Sequence, residues 1–354
     1  WIRSNQTKTF TLDKLASTSL SDPNTTLKHH KLTLEMTSNP AWYAVQALPY
    51  LMEYPHECNE QTFSRYYANA LASHIANSNP RIQEVFNQWR NTDASTGSAT
   101  ALLSNLEKNE ELKSILIQET PWLRDAQSET EQKKRIALLF DMNKMKNELA
   151  SALRKLEQMQ MGNGGFPWFK GARYPNRYIT QHIASGFGHL NKLGVANPAS
   201  DQMLNKAVKF LDDEILSDYN ELKKQARRIK ARAKTKKEGE RLVKEFWESN
   251  HTHHFQIQYL YMRSFYKDIA IRKNVQTAVD YFTNQAYEFW LDNKNLYTKG
   301  MISLIAKRND KTDVANKIIA SSKENAITSE ELGMYWKENT SSWYWYQAPI
   351  ETQA

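Results

Sequence analysis

The chain has 354 residues, 40% of them hydrophobic, with 10 Trp, 17 Tyr and 13 Phe, which is enough apolar mass for one large core. No stretch approaches the ~18 consecutive apolar residues that would span a bilayer, and Trp1-Ile2-Arg3-Ser4 is neither a signal peptide nor a Met start, so the chain reads as a piece of a longer protein. The net charge of +8 owes most to nine Lys or Arg between Lys223 and Lys237, read as a solvated helical face and not a nucleic-acid surface, and a single cysteine excludes an internal disulfide.

Residues 1–38 carry strand signals. Thr9-Phe10-Thr11-Leu12 and Leu32-Thr33-Leu34-Glu35-Met36 alternate apolar and polar positions, with a Ser-, Thr- and Asn-rich loop around Pro23 between them. This is the expected β arm of a partial neighbouring domain. After Asn39-Pro40 the period changes to that of a helix, with Trp42, Val45, Leu48, Leu51 and Met52 at three- and four-residue spacing. Helices are then expected at 62–76, 81–90, 99–106, 110–118, 129–158, 178–193, 200–212, 218–248, 252–269, 274–291, 295–307 and 311–321. A polar loop is expected at 91–100. Pro349, Ile350 and Thr352 open a last helix that the chain does not complete, so residues 39–354 read as one helical domain truncated at its C-terminus. A dozen helices and almost no further strand signal predict an all-α assembly of helical hairpins. No fixed repeat supports a regular solenoid.

The stretch with chemical content is Tyr54-Pro55-His56-Glu57-Cys58-Asn59-Glu60-Gln61-Thr62. Cys-x-Glu-Gln follows a given cysteine by chance roughly four times in a thousand, and here there is one cysteine. A thiolate at position i reaches the side-chain amide carbon at i+3 when the backbone turns tightly. Attack expels ammonia and closes a thioester between Cys58 Sγ and Gln61 Cδ, a ring of fifteen atoms. A thioester is an activated acyl group, so an amine, hydroxyl or water takes the acyl from sulfur. The result is acyl transfer run once, without turnover. Such a bond must be kept dry until it is used. Tyr54, Phe63, Tyr66 and Tyr67 flank the motif and suit that role, although plain core packing is the commoner use of each. His56 is a candidate base for the thiol, and Glu60 a supporting residue.

Tyr54-Pro55-x-x-Cys58-x-Glu60-Gln61-Thr62 resembles the thioester site of the alpha-2-macroglobulin and complement family, especially its bacterial branch. Asn39-Pro40-Ala41-Trp42-Tyr43-Ala44-Val45-Gln46-Ala47-Leu48-Pro49-Tyr50-Leu51 resembles that branch's lead-in. Gly164-Gly165-Phe166-Pro167-Trp168-Phe169, followed by Tyr178-Ile179-Thr180 opening a helix, also resembles that branch, and Trp343-Tyr344-Trp345 with Ile350-Glu351-Thr352-Gln353-Ala354 resembles a later helix of the same domain. The resemblance runs from about residue 32 to 354. It implies an α/α toroid, and a bacterial protease inhibitor of the periplasm or cell envelope whose Cys58–Gln61 thioester captures attacking proteases, mainly through lysine amines. It implies as partners the target protease and the other domains of the parent chain, with no nucleic acid and no cofactor. Two departures are visible. Glu57 and Asn59 stand where many members have Gly, and no His here matches the one that the complement branch uses to favour hydroxyls.

Two alternatives stay open: a non-reactive helical scaffold of the same family, and an α/α-toroid enzyme. His251-Thr252-His253-His254 invites a zinc reading but lacks further ligands at helical spacing. His182 and His189 share one expected helix and read as structural. Asp212-Asp213-Glu214 lacks the further Asp that a prenyl-chain enzyme needs. Gly162-Asn163-Gly164-Gly165 is a turn, since no Lys-Ser/Thr follows.

Overall fold

The structure is a computed structural model that describes residues 58–78, 142–195, 197–293, 295–329 and 333–337, together with isolated positions at 7–11, 51 and 81–88. The β arm expected over 1–38 lies outside these residues apart from three isolated threonines. So do the helices expected at 99–106 and 110–118, the loop at 91–100 and the C-terminal segment from 338. Nine helices are described: α1 (Asn59–Ser78), α2 (Met142–Met159), α3 (Arg177–Lys192), α4 (Asp201–Arg232), α5 (Lys236–Glu248), α6 (His254–Arg263), α7 (Lys273–Glu288), α8 (Leu296–Arg308) and α9 (Thr312–Glu324). The described fold is mostly helical, as the hydrophobic periods predict. Its one sheet among the described residues is an antiparallel pair, β1 (Ile327–Ser329) with β2 (Gly333–Tyr335), for which no strand had been expected.

α3 shows how the sequence makes these helices. Asn176 caps it, its Oδ1 accepting from the Ile179 amide at 3.0 Å. Ile179, Ile183, Phe187 and Leu190 fall on one stripe and are all at most 1% exposed. Full burial of such side chains stabilises by about 1.5–3 kcal/mol each before entropy is counted. The helix stops at Gly194, whose φ of 77° suits the left-handed residue that follows a helix. Val195 N–H returns to the Leu190 carbonyl at 2.8 Å and Gly194 N–H to Asn191 at 3.1 Å.

The helices pack in an alternating series. α1 lies on α2 and α3, α3 on α4 and α6, α6 on α8, and α8 on α9, while α4 also runs along α5 and α7. Gly186 permits the α1–α3 approach. A Cβ there would sit 2.2 Å from the ζ-carbon of Phe63, so the ring presses on bare helix backbone. α4 and α6 are tied by a buried ion pair. Asp212 Oδ1 accepts from Arg263 Nε at 3.2 Å and from the Tyr259 hydroxyl at 2.6 Å. The guanidinium's other arms donate to the Tyr266 and Ile269 carbonyls, which leaves the buried charge well satisfied.

Boundaries differ from expectation in two places: the helix expected over 252–269 ends at Arg263, and α4 runs past its expected end. The break expected at 213–217 is absent, because Phe210, Leu211, Asp212 and Ile215 continue one buried stripe through α4. The chain turns instead at 233–235, where Ala233 is extended and Thr235 caps α5 by accepting from the Glu238 amide at 3.2 Å.

Candidate functional site

Cys58 sits immediately before α1, and its carbonyl accepts from the Thr62 amide at 2.9 Å. That makes it the N-cap and Gln61 the third helical residue. The two side chains then answer each other across the first turn. Gln61 N–H donates to Cys58 Sγ at 3.4 Å, and Cys58 N–H donates to Gln61 Oε1 at 3.4 Å. In form this is a capping box in which a thiol and a carboxamide replace the usual hydroxyl and carboxylate. Glu60 closes the group, its Oε2 lying 3.9 Å from Sγ while its Oε1 accepts from the Ser64 hydroxyl at 3.3 Å. Thus Cys58, Glu60 and Gln61 converge at one helix end.

Electrostatics at the thiol pull in opposite directions. Burial pushes the Cys58 pKa above its ordinary value, Glu60's charge adds to that, and the Gln61 amide lowers it. Cys58 is 6% exposed and unpaired with any other cysteine.

The motif is held in place from a distance. Gly164, with φ of 92°, lies so close to the Lys206 carbonyl of α4 that no side chain fits, and a Cβ on Gly165 would sit 2.5 Å from Pro175. These two glycines press the 160–176 loop onto the body. Gln160 Nε2 pins it by donating to the Gly164 and Met203 carbonyls, both at 2.8 Å, and Phe166 becomes fully buried. The next two carbonyls then face α1. Asn59 N–H donates to the Trp168 carbonyl at 3.0 Å, and Asn59 Nδ2 to the Pro167 carbonyl at 2.6 Å. Asn59 is wholly buried and helical, and among the described residues Asp310 is the one non-glycine with positive φ. The position therefore needs no glycine conformation, and its side chain does the docking. Sequence reasoning paired the Gly-Gly-Phe-Pro-Trp-Phe run with the cysteine motif by resemblance alone; this contact it missed.

An aromatic series backs the site. Trp168 stacks on Tyr178, Tyr178 on His182, and His182 meets Phe63 edge-on at 5.6 Å. Phe63 and Tyr66 both pack on Phe187, and both are 2% exposed. Tyr67 is half-buried against Phe63. Phe63 and Tyr66 are thus core residues beneath the motif. Trp168 and Phe169, and Tyr174 further along the loop, are exposed at its rim. Tyr54 and His56 lie outside the described residues.

The other candidates resolve into structure. His251 bonds the Tyr281 hydroxyl at 2.8 Å, burial lowers His254 to a pKa of about 4, and no metal-holding group of His, Cys, Asp or Glu occurs among the described residues. His182 is likewise lowered to about 4, by burial and then by His189, whose own ring meets the Tyr261 hydroxyl at 2.8 Å. Asp212 serves the buried ion pair and Asp213 pairs with Arg272 at 2.5 Å. No family model matches the chain, and no curated protein matches it.

Proposed function

We propose that this chain is the thioester domain of a bacterial alpha-2-macroglobulin-like protease inhibitor. The reciprocal pairing of Cys58 and Gln61 at the start of α1 is the observation that carries the reading. The two groups that must join already share one helix turn.

In this reading closure begins at the Cys58 thiol. The thiol proton passes to the Glu60 carboxylate and Sγ attacks Gln61 Cδ. The oxygen that gains charge is Oε1, which faces the Cys58 amide N–H. The tetrahedral adduct collapses and expels the side-chain nitrogen as ammonia, which takes up the proton that Glu60 holds. Discharge reverses the roles. A lysine amine adds to the acyl carbon, the same N–H receives the oxyanion, and the departing thiolate meets the Gln61 amide and the positive end of α1. The amine loses its proton to the thiolate, leaving an amide at Gln61 and a free Cys58 thiol. Without a histidine relay, amines are the favoured nucleophiles.

The alternating contacts of α1, α3, α6 and α8 support an α/α toroid. The exposed Trp168 and Phe169 support a rim that other domains of the parent chain cover until a protease cuts elsewhere. The parent would act in the periplasm or cell envelope.

A second reading is favoured by the same hydrogen bonds, since a capping box stabilises a helix without any chemistry. In that case the chain is a non-reactive scaffold. A fluorescent primary amine separates the two. In the trap, label resistant to detergent and reductant attaches at Gln61 and is absent from Cys58→Ser, which preserves the cap. Wild-type protein that takes no label, or labels equally in Cys58→Ser, contradicts the trap.

A further inference from the structure

The chain holds 47 Lys and Arg against 39 Asp and Glu, and nine of the 47 lie between Lys223 and Lys237, where no acidic residue occurs. Removing those nine leaves 38 basic against 39 acidic, so the whole positive excess belongs to one short stretch. The structure puts that stretch on an antiparallel hairpin made by the distal part of α4, the turn at 233–235 and α5. Beyond Tyr219 the one buried residue of α4 is Ala226, and the close approach there is to α5, where a Cβ on Gly239 would meet the Lys230 carbonyl and Ala233 at 3.3 Å.

The two faces of this arm are chemically distinct. Leu222, Ala226 and Ile229 share one helical stripe and are buried or half-buried, as is Ala233 just past the helix end. Lys224, Arg227, Arg228 and Arg232 lie off that stripe and are exposed, as are Lys230, whose side chain leaves the helix beside Gly239 of α5, and Lys234, Lys236 and Lys237 at the turn. Further along α5 the cations are matched, Arg241 by Glu245 and Lys244 by Glu248, while Lys236 and Lys237 at its start are not. On the α4 side Glu221 partners both Lys224 and Arg228. Among the described residues Arg227, Lys230, Arg232, Lys234, Lys236 and Lys237 enter no ion pair. A run of like charge along about 15 Å of helix and the turn that follows is maintained against its own repulsion.

We propose that the α4–α5 hairpin is an electrostatic docking arm for a membrane surface bearing anionic headgroups. Three observations select that partner. No large hydrophobic residue of the arm is exposed, so it attracts charge without inserting. It offers no exposed aromatic on which a base would stack. Finally, α5 backs α4 along its apolar stripe and the cations continue around the turn onto α5, so the charge is spread over a broad face and not along one free helix of the kind that a duplex major groove of about 12 Å admits. A flat anionic surface accepts the broad basic face directly. The inference is independent of the acyl-transfer reading.

The test is flotation of the 354-residue chain with phosphatidylcholine vesicles, with and without about one third phosphatidylglycerol, at about 0.05 and 0.3 M salt. The chain is expected to float with the anionic vesicles at low salt, to be released at high salt, and to ignore phosphatidylcholine. Arg227→Glu with Lys230→Glu, Arg232→Glu and Lys234→Glu should lower the partition at least tenfold while the helical circular dichroism is unchanged. Absence of binding to anionic vesicles, equal binding to both vesicles, or binding unmoved by the four changes overturns the proposal. So does tighter binding to a DNA duplex than to the anionic vesicles.

Discussion

At the residue scale the site turns on two side chains that cap a helix with the atoms an acyl transfer needs. Cys58→Ser and Gln61→Glu both keep a cap, because serine and glutamate make the ordinary capping box. Both are expected to hold unfolding stability to within about 0.5 kcal/mol of the uncrosslinked protein in urea titration, while abolishing amine uptake. Glu60→Gln is expected to slow closure near neutral pH and to make it depend on the thiol's own ionisation, so the rate climbs with pH where the wild type stays flat. A rate profile identical to wild type removes Glu60 from the reaction. Asn59→Ala strips the Pro167 carbonyl of its buried donor, which costs about 1–3 kcal/mol and loosens the motif. Of the contacts at this site, only the convergence of Cys58, Glu60 and Gln61 was legible in the sequence, because neighbours two and three positions apart survive in a linear reading. Asn59 was not legible. Its partner lies 108 positions away, and no local pattern reports that distance.

At the scale of elements, each contact has a cause that can be broken alone. Gly186→Ala drives a methyl into the Phe63 ring between α1 and α3 and is expected to cost about 1–3 kcal/mol. Combined with Phe63→Ala, whose own cavity costs about 3–5 kcal/mol, the added methyl should cost far less. Strict additivity in urea unfolding would show that the ring and α3 are not in contact. Asp212→Asn leaves Arg263 buried without its counter-charge between α4 and α6, for about 3–5 kcal/mol. Helix positions were legible wherever a buried stripe was strong, as in α3 and α8. The α4 boundary was not, because Asp212-Asp213-Glu214 reads as a polar break until Arg263 and Arg272 are seen opposite. The β1–β2 pair, with strands of three residues each, is too short to carry a period.

For the molecule as a whole, acid sensitivity follows from half-buried histidines that their surroundings hold neutral. His182 falls from 6.5 to about 4 on folding, so between those values the unfolded chain binds more protons than the folded one. Stability is therefore full above about pH 6.5 and is lost as pH falls toward 4, by at most about 3 kcal/mol from this residue. His254 acts in the same direction. Thermal unfolding across that window should flatten in His182→Phe, and an unchanged slope would exclude His182 as a source. The predominance of helix was legible from composition and period. Which helices touch was not, since contacts such as α6 with α8 are set by packing across the core. The most direct measurement is the intact mass of fresh protein before and after methylamine, with thiol titration beside it. A closed thioester gives a mass about 17 Da below the sequence value and no reactive thiol, then a gain of about 31 Da and one thiol on treatment. The full sequence mass with one free thiol from the outset, and no change with methylamine, would contradict it.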